Sequence, residues 1–199
     1  MLATISALAA NPKNIEKLFV FHDLEVGFFV LLFYINGKPK HMVVDDLIPC
    51  SKYSKSPLFT KPIGNEIWVL LVEKAWAKAI GNYLSAESMT PDHMMEDLTS
   101  APGYGNYFRD EGNVTKQQRV EEVVKHDQLG YIIVLTSVSN KKIEGIANHH
   151  AYSLLKVYEH EGNKIFKIRN PWGRSEWNGQ YGENSSFWTP ELKHIVEFE

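Results

Sequence analysis

The sequence predicts an α+β fold in two lobes, helical in the first and β-rich in the second. Three observations carry this. Ile67, Leu70, Leu71, Ala75 and Ile80 recur near the 3.6-residue period and define one face of a helix. Val26 to Ile35 is an apolar run that meets a returning strand across Asn36-Gly37, a dipeptide suited to a two-residue hairpin turn. The last third holds HAYSLLKVYE and KIFKIRN around a turn at HEGN, a second hairpin pattern. With 199 residues, 44% of them hydrophobic and 12% aromatic, the chain has enough apolar material for a core, which excludes a disordered polymer.

The elements follow in order. Leu2, Ile5, Leu8 and Ala9 recur at helical spacing, and Asn11-Pro12 stops that helix. A short segment with Ile15, Leu18 and Phe19 leads into the first hairpin. Ser51 to Gly64, with Pro57, Pro62 and several Ser and Lys residues, reads as a loop. The long helix spans Glu66 to Leu84, with Gly81 as its C-terminal stop. Pro91 suits the first turn of a further helix to Leu98, which SAPGYG then breaks. Gln117 to His126 is a polar-faced helix, and YIIVLTSVS is a buried strand. After the second hairpin comes a Trp- and Gly-rich loop, PWGRSEWNGQYG. The passage from helix to strand puts a lobe boundary near residues 85–100, and a cleft between lobes is where a site would lie.

Composition narrows the function. A net charge of −3 without a basic run argues against nucleic-acid binding. The single cysteine, Cys50, cannot form an intramolecular disulfide, and no Cys or His cluster has zinc spacing. A reducing, intracellular (cytoplasmic) setting follows as the expectation. No apolar run reaches the length of a membrane span, and MLATISALAA lacks the basic region of a signal peptide.

His149, His150 and Asn170 are the residues that suggest chemistry. His150 opens the first strand of the second hairpin and Asn170 closes the next. If the hairpin turns about residue 160, the two face each other. An imidazole with an amide oxygen beside it is what a cysteine nucleophile needs: the ring takes the thiol proton and the amide sets its tautomer. The plainer alternative also stands at this point, with His150 a half-buried strand residue and Asn170 a turn former ahead of Pro171.

HAYSLL, IRNPWG and EWNG, in that order and spacing, resemble the C-terminal half of the calpain-type cysteine protease core. VVDDLIP, EIWVLLVEKAWAKAIGNY and MEDLTSA resemble its earlier segments, so the likeness is collinear over nearly the whole chain. The resemblance implies a papain-like two-lobed fold, with residues 1–90 as the N-terminal lobe and 91–199 as the C-terminal lobe. It implies calcium-dependent cutting of cytosolic proteins by a Cys-His-Asn triad, acting on protein or peptide substrates, with further domains possible. By position His150 is the general base, Asn170 its orienter and Trp172 the ring that shields their hydrogen bond.

The chain also departs from that pattern. MLATISALA resembles the helix after the family's Gly-Asp-Cys-Trp, which places the nucleophile two residues ahead of Met1 and the oxyanion-hole Gln further upstream. Cys50, after Pro49 at a strand end, is read as structural rather than as a substitute. His149 and Ser88-Met89 stand where the family has glycines that let a peptide backbone approach. For calcium, Glu66 matches one ligand of a first site, and Glu176 and Glu183 match ligands of a second; both sets are incomplete. The expectation is a core truncated at both ends. It is read as a calpain-like endopeptidase that is inactive alone or, alternatively, as a non-catalytic pseudoprotease that binds or regulates proteins.

Overall fold

The computed structural model describes residues 1–106, 114–137, 143–174 and 177–198, the side chains of Glu87 and Ser88 aside. The chain divides into two compact units, Met1–Gly105 and Asn106–Glu199.

The first unit is built on an antiparallel meander of β1 (Phe19–Asp23), β2 (Phe28–Ile35) and β3 (Lys38–Asp45), with β2 in the middle. Because side chains alternate along a strand, β2 buries Phe29, Leu31 and Phe33 on one face. The turn between β2 and β3 has φ +53° at Asn36 and +71° at Gly37, the left-handed pair that a two-residue hairpin requires. Helices α1 (Leu2–Leu8), α2 (Pro12–Glu16), α3 (Trp68–Ile80), α4 (Tyr83–Ser88) and α5 (Pro91–Thr99) complete the unit. α3 and α5 pack on the sheet, and α1 packs on α5. Trp76 of α3 is fully buried and meets Phe33 edge-on, with ring centroids 6.3 Å apart.

Two sequence expectations need correction here. The helix expected over Glu66–Leu84 is two helices. α3 ends at Gly81, whose φ of +113° leaves the helical region, and Asn82 then caps α4 by accepting from the Ser85 N–H at 2.8 Å. Asn11-Pro12 not only ends α1 but starts α2: the Asn11 side chain accepts from the Lys13 N–H, and Pro12 occupies the first turn. The buried stripe of α3 is also wider than expected, adding Val72, Glu73, Trp76 and Ala77, while Ile67 is exposed.

The free edge of β3 is covered by α3. Lys78 donates to the carbonyl of Val43 at 2.6 Å, and Lys74 donates to those of Asp45 and Leu47 at 3.1 and 2.7 Å. Lysines four apart on a helix match carbonyls two apart on a strand, so the ammonium groups satisfy an edge that would otherwise template pairing. Lys74 also bonds the Asp45 carboxylate and holds it below the usual carboxylate range.

The second unit holds α6 (Lys116–Gln128), β4 (Ile133–Ser137), β5 (His150–His160), β6 (Asn163–Arg169) and α7 (Pro190–Ile195), with an antiparallel sheet ordered β4-β5-β6. Ile165, Leu192 and Val196 form a buried cluster, packed against Tyr158, Tyr181, Trp188 and Phe198. α7, which sequence reading passed over, is announced by Thr189-Pro190: the Thr hydroxyl accepts from the Leu192 N–H at 3.1 Å. Among the described residues each unit thus carries one three-stranded sheet, so the first is less purely helical than its sequence suggested. No helix among the described residues is long and apolar enough to cross a membrane.

Candidate active site

His150 begins β5, paired with Ser137 of β4, and Asn170 directly follows β6. The β5–β6 turn falls at Glu161-Gly162 rather than about residue 160, and its register, with His160 opposite Asn163, would set Asn170 opposite Ser153 instead of His150. A bulge between Leu154 and Lys156 then shifts the register, and the last ladder pair is Ser153 with Arg169. Asn170 therefore lies one step past that pair, beside the Tyr152 level of β5. The period of two puts positions 150 and 152 on one face, so the amide reaches the imidazole along that face rather than straight across.

The contact is His150 Nε2 to Asn170 Oδ1, 2.9 Å. Asn170 is only 8% exposed, and backbone groups of the following turn hold its amide. Oδ1 also accepts from the Trp172 N–H at 3.1 Å, and Nδ2 donates to the Arg174 carbonyl at 2.6 Å. A backbone N–H can only donate and a carbonyl can only accept, so these two bonds define which end of the amide is oxygen. That oxygen requires a proton on His150 Nε2, which in the neutral ring leaves Nδ1 with its lone pair. Among the described residues no hydrogen bond reaches Nδ1. The arrangement presents a base atom whose tautomer is set by the opposite ring nitrogen.

Trp172 lies against the imidazole with centroids 3.9 Å apart and planes at 37°. The residue is 53% exposed, so the ring lies against one side of His150 while Trp172 remains open to solvent. Tyr152 meets the same imidazole almost perpendicularly, at 4.7 Å and 85°. His149, where a glycine was expected by resemblance, has φ +49°, in the left-handed region that favours glycine. Two residues that sequence reading did not single out, Ser137 and Tyr152, hydrogen-bond the turn that leads into His150. The strand period could have flagged Tyr152; nothing local marks Ser137.

The remaining candidates belong each to its own unit, one of them lying outside the described residues. Glu66 is exposed just ahead of α3, and one of its oxygens accepts from the Trp68 indole N–H at 3.1 Å. Glu183 is exposed, and Glu176 lies outside the described residues. Among the described residues no group of three or more His, Cys, Asp or Glu side chains is placed to hold a metal ion. Cys50 is free and exposed in a loop, bridged to Pro57. Ser88 closes α4, its side chain outside the described set, and Met89 follows in extended backbone.

A sequence profile described as calpain family cysteine protease matches residues 1–198. The calpain-type cysteine protease DEK1 of Arabidopsis thaliana is 33% identical, over 98% of this chain and 10% of its own length. The calpain-2 catalytic subunit of Bos taurus is 28% identical over 98% of this chain and 30% of its own length. Calpain-7 of Homo sapiens is 25% identical over 87% of this chain and 22% of its own length. The chain thus spans between a tenth and a third of these relatives. A profile match of that extent, on a chain with an imidazole and an amide held in contact, leads to one conclusion: the chain belongs to the calpain family of cysteine proteases.

Proposed function

We propose that this chain is part of an intracellular cysteine endopeptidase core of papain-like two-lobed fold, in which His150 and Asn170 serve a cysteine thiol. The observation that supports it is the Nε2–H···Oδ1 bond of 2.9 Å, made by an amide that two backbone groups lock in orientation. In this reading Nδ1 of His150 accepts the thiol proton and the thiolate sulfur attacks the peptide carbonyl carbon. The imidazolium is steadied by Asn170 Oδ1 and returns its proton to the leaving amine as the C–N bond breaks. Water then hydrolyses the thioester, with His150 again taking and returning a proton. Trp172 keeps water from one side of the ring, which strengthens the His150–Asn170 bond.

Cys50, exposed in a loop and bridged to Pro57, is read as structural and is not the thiol of this scheme. The chain alone is therefore proposed not to cleave peptides. Calcium dependence is proposed from the family resemblance alone. Calcium takes six to eight oxygens, and the described surroundings of Glu66 and Glu183 do not assemble such a set, so no step is routed through the ion. Proteolysis by the whole protein that carries this chain, followed as calcium is added after chelation, tests this; a rate unchanged up to about millimolar calcium removes the proposal.

The test of the function is proteolysis of a fluorogenic protein substrate by the whole protein that carries this chain. His150→Ala is expected to lower the rate by about 10²–10⁴-fold, and Asn170→Ala by less. Turnover by residues 1–199 alone that survives His150→Ala but not Cys50→Ala overturns the roles. A second reading, a protein-binding module without catalysis, is favoured by His149 in a left-handed position next to the base. It is preferred if the whole protein is inert while His149→Gly restores cleavage.

A further inference from the structure

The His150–Asn170 pair needs its imidazole aimed as firmly as its amide, and the backbone that aims it contains His149 at φ +49°. A left-handed backbone at a residue other than glycine persists only where its surroundings over-determine it. We propose that Ser137 and Tyr152 are positioning residues for His150, acting through the turn Ala147–His149. The inference rests on the reading of His150 and Asn170 given above.

Both polar backbone atoms of Ala147 are held by side chains. Its N–H donates to the Tyr152 hydroxyl at 2.8 Å, and its carbonyl accepts from the Ser137 hydroxyl. The Ser137 oxygen accepts from the His150 N–H at 3.1 Å, so one hydroxyl ties the start of the turn to its end. Its single proton goes to Ala147, the nearer of the two carbonyls in reach. Tyr152 is buried, and its ring stands perpendicular to the imidazole at 4.7 Å. Its hydroxyl fixes where the turn begins while its ring limits how far the imidazole can swing. Rotation of the backbone at His149 would carry Nε2 away from an amide that its own network keeps still. The two residues thus decide whether the pair stays formed without touching a reacting atom.

The test uses the 199-residue chain labelled with ¹⁵N-histidine, and reads exchange with water of the His150 Nε2 proton, assigned by its loss in His150→Gln. Tyr152→Phe and Ser137→Ala are each expected to speed that exchange by about tenfold, with the amides of Leu154 and Ile165 as protected as in the parent. Ser137→Thr, which keeps the hydroxyl, is expected to hold the parent rate. If Tyr152→Phe fails to fold, Ser137→Ala decides. An unchanged rate in the folded variants overturns the inference and leaves the pair standing. An unchanged rate in Asn170→Ala, or no such proton in the parent chain, overturns the pair and the inference together.

Discussion

Helices α3 and α6 are each thirteen residues long and are held by opposite means. α3 has no side-chain N-cap but buries seven of its residues, Trp76 and Val72 completely. α6 buries none, and has instead a full capping box: the Thr115 hydroxyl accepts from the Gln118 N–H while the Gln118 side chain accepts from the Thr115 N–H. One tie to the sheet is Asp127, which accepts from the Val157 N–H at 3.1 Å and pairs with Lys156 at 3.2 Å. Burial makes a helix part of a cooperative core, whereas caps act within one turn. The comparison implies that α3 opens only with its unit and that α6 opens locally.

The sharpest way to break this contrast is Trp76→Ala. It removes a fully buried indole and its contact with Phe33, and is expected to cost about 3–5 kcal/mol. Urea unfolding checks it; a loss below ~1 kcal/mol would mean that α3 does not depend on burial. Next is Glu73→Ala. This 3%-exposed carboxylate accepts from both the N–H and the hydroxyl of Thr60, anchoring the loop ahead of α3 to the helix. A loss of about 1.5–3 kcal/mol is expected, with faster hydrogen exchange at the Thr60 amide.

Thr115→Ala addresses the other helix. It is expected to cost about 1 kcal/mol. Exchange should rise across the first turn of α6 while amides of α3 stay as they were. If α3 amides also loosen, the two helices are not independent.

The smallest effect concerns charge on α5. Burial raises the Asp97 carboxyl above its ordinary value of 3.8, and nearby Glu96 adds to this, while His93 and the Asn36 backbone pull the other way. The folded state then holds its proton more tightly than the unfolded state, so stability falls as pH rises from about 3.8 through the folded pKa. Asp97→Asn should be slightly more stable than the parent above that window and equal to it below. Thermal unfolding at pH 3 and pH 7 reads the difference; a gain at the lower pH would reverse the sign.

Local patterns made much of the molecule legible. The Asn36-Gly37 turn, the core face of α3 around Leu70, Leu71 and Ala75, and the strands at HAYSLLKVYE and KIFKIRN all follow from neighbours within one turn or one strand period. α7 was readable from Thr189-Pro190 and went unread. The break between α3 and α4 lay in Gly81-Asn82, where a stop for one helix is also a cap for the next. Less legible was the depth of burial. Val72, Glu73 and Trp76 are covered because a sheet and a loop close over them, which no window along the helix contains.

At the candidate site, the residue types are readable along the chain: an imidazole opening one strand, an amide closing the next, and an indole two residues on. Their relation comes from the folded hairpin. The nineteen residues between His150 and Asn170 include a turn that shifts the register by three and a bulge that takes back one, neither encoded by residue type. The amide's orientation depends on the N–H of Trp172 and the carbonyl of Arg174, groups every residue possesses and only the folded turn brings near. The tautomer of His150 follows from that orientation, and with it the nitrogen that can take a proton. Composition and period are properties of neighbours along the chain, whereas the protonation site belongs to groups that meet only after the hairpin closes.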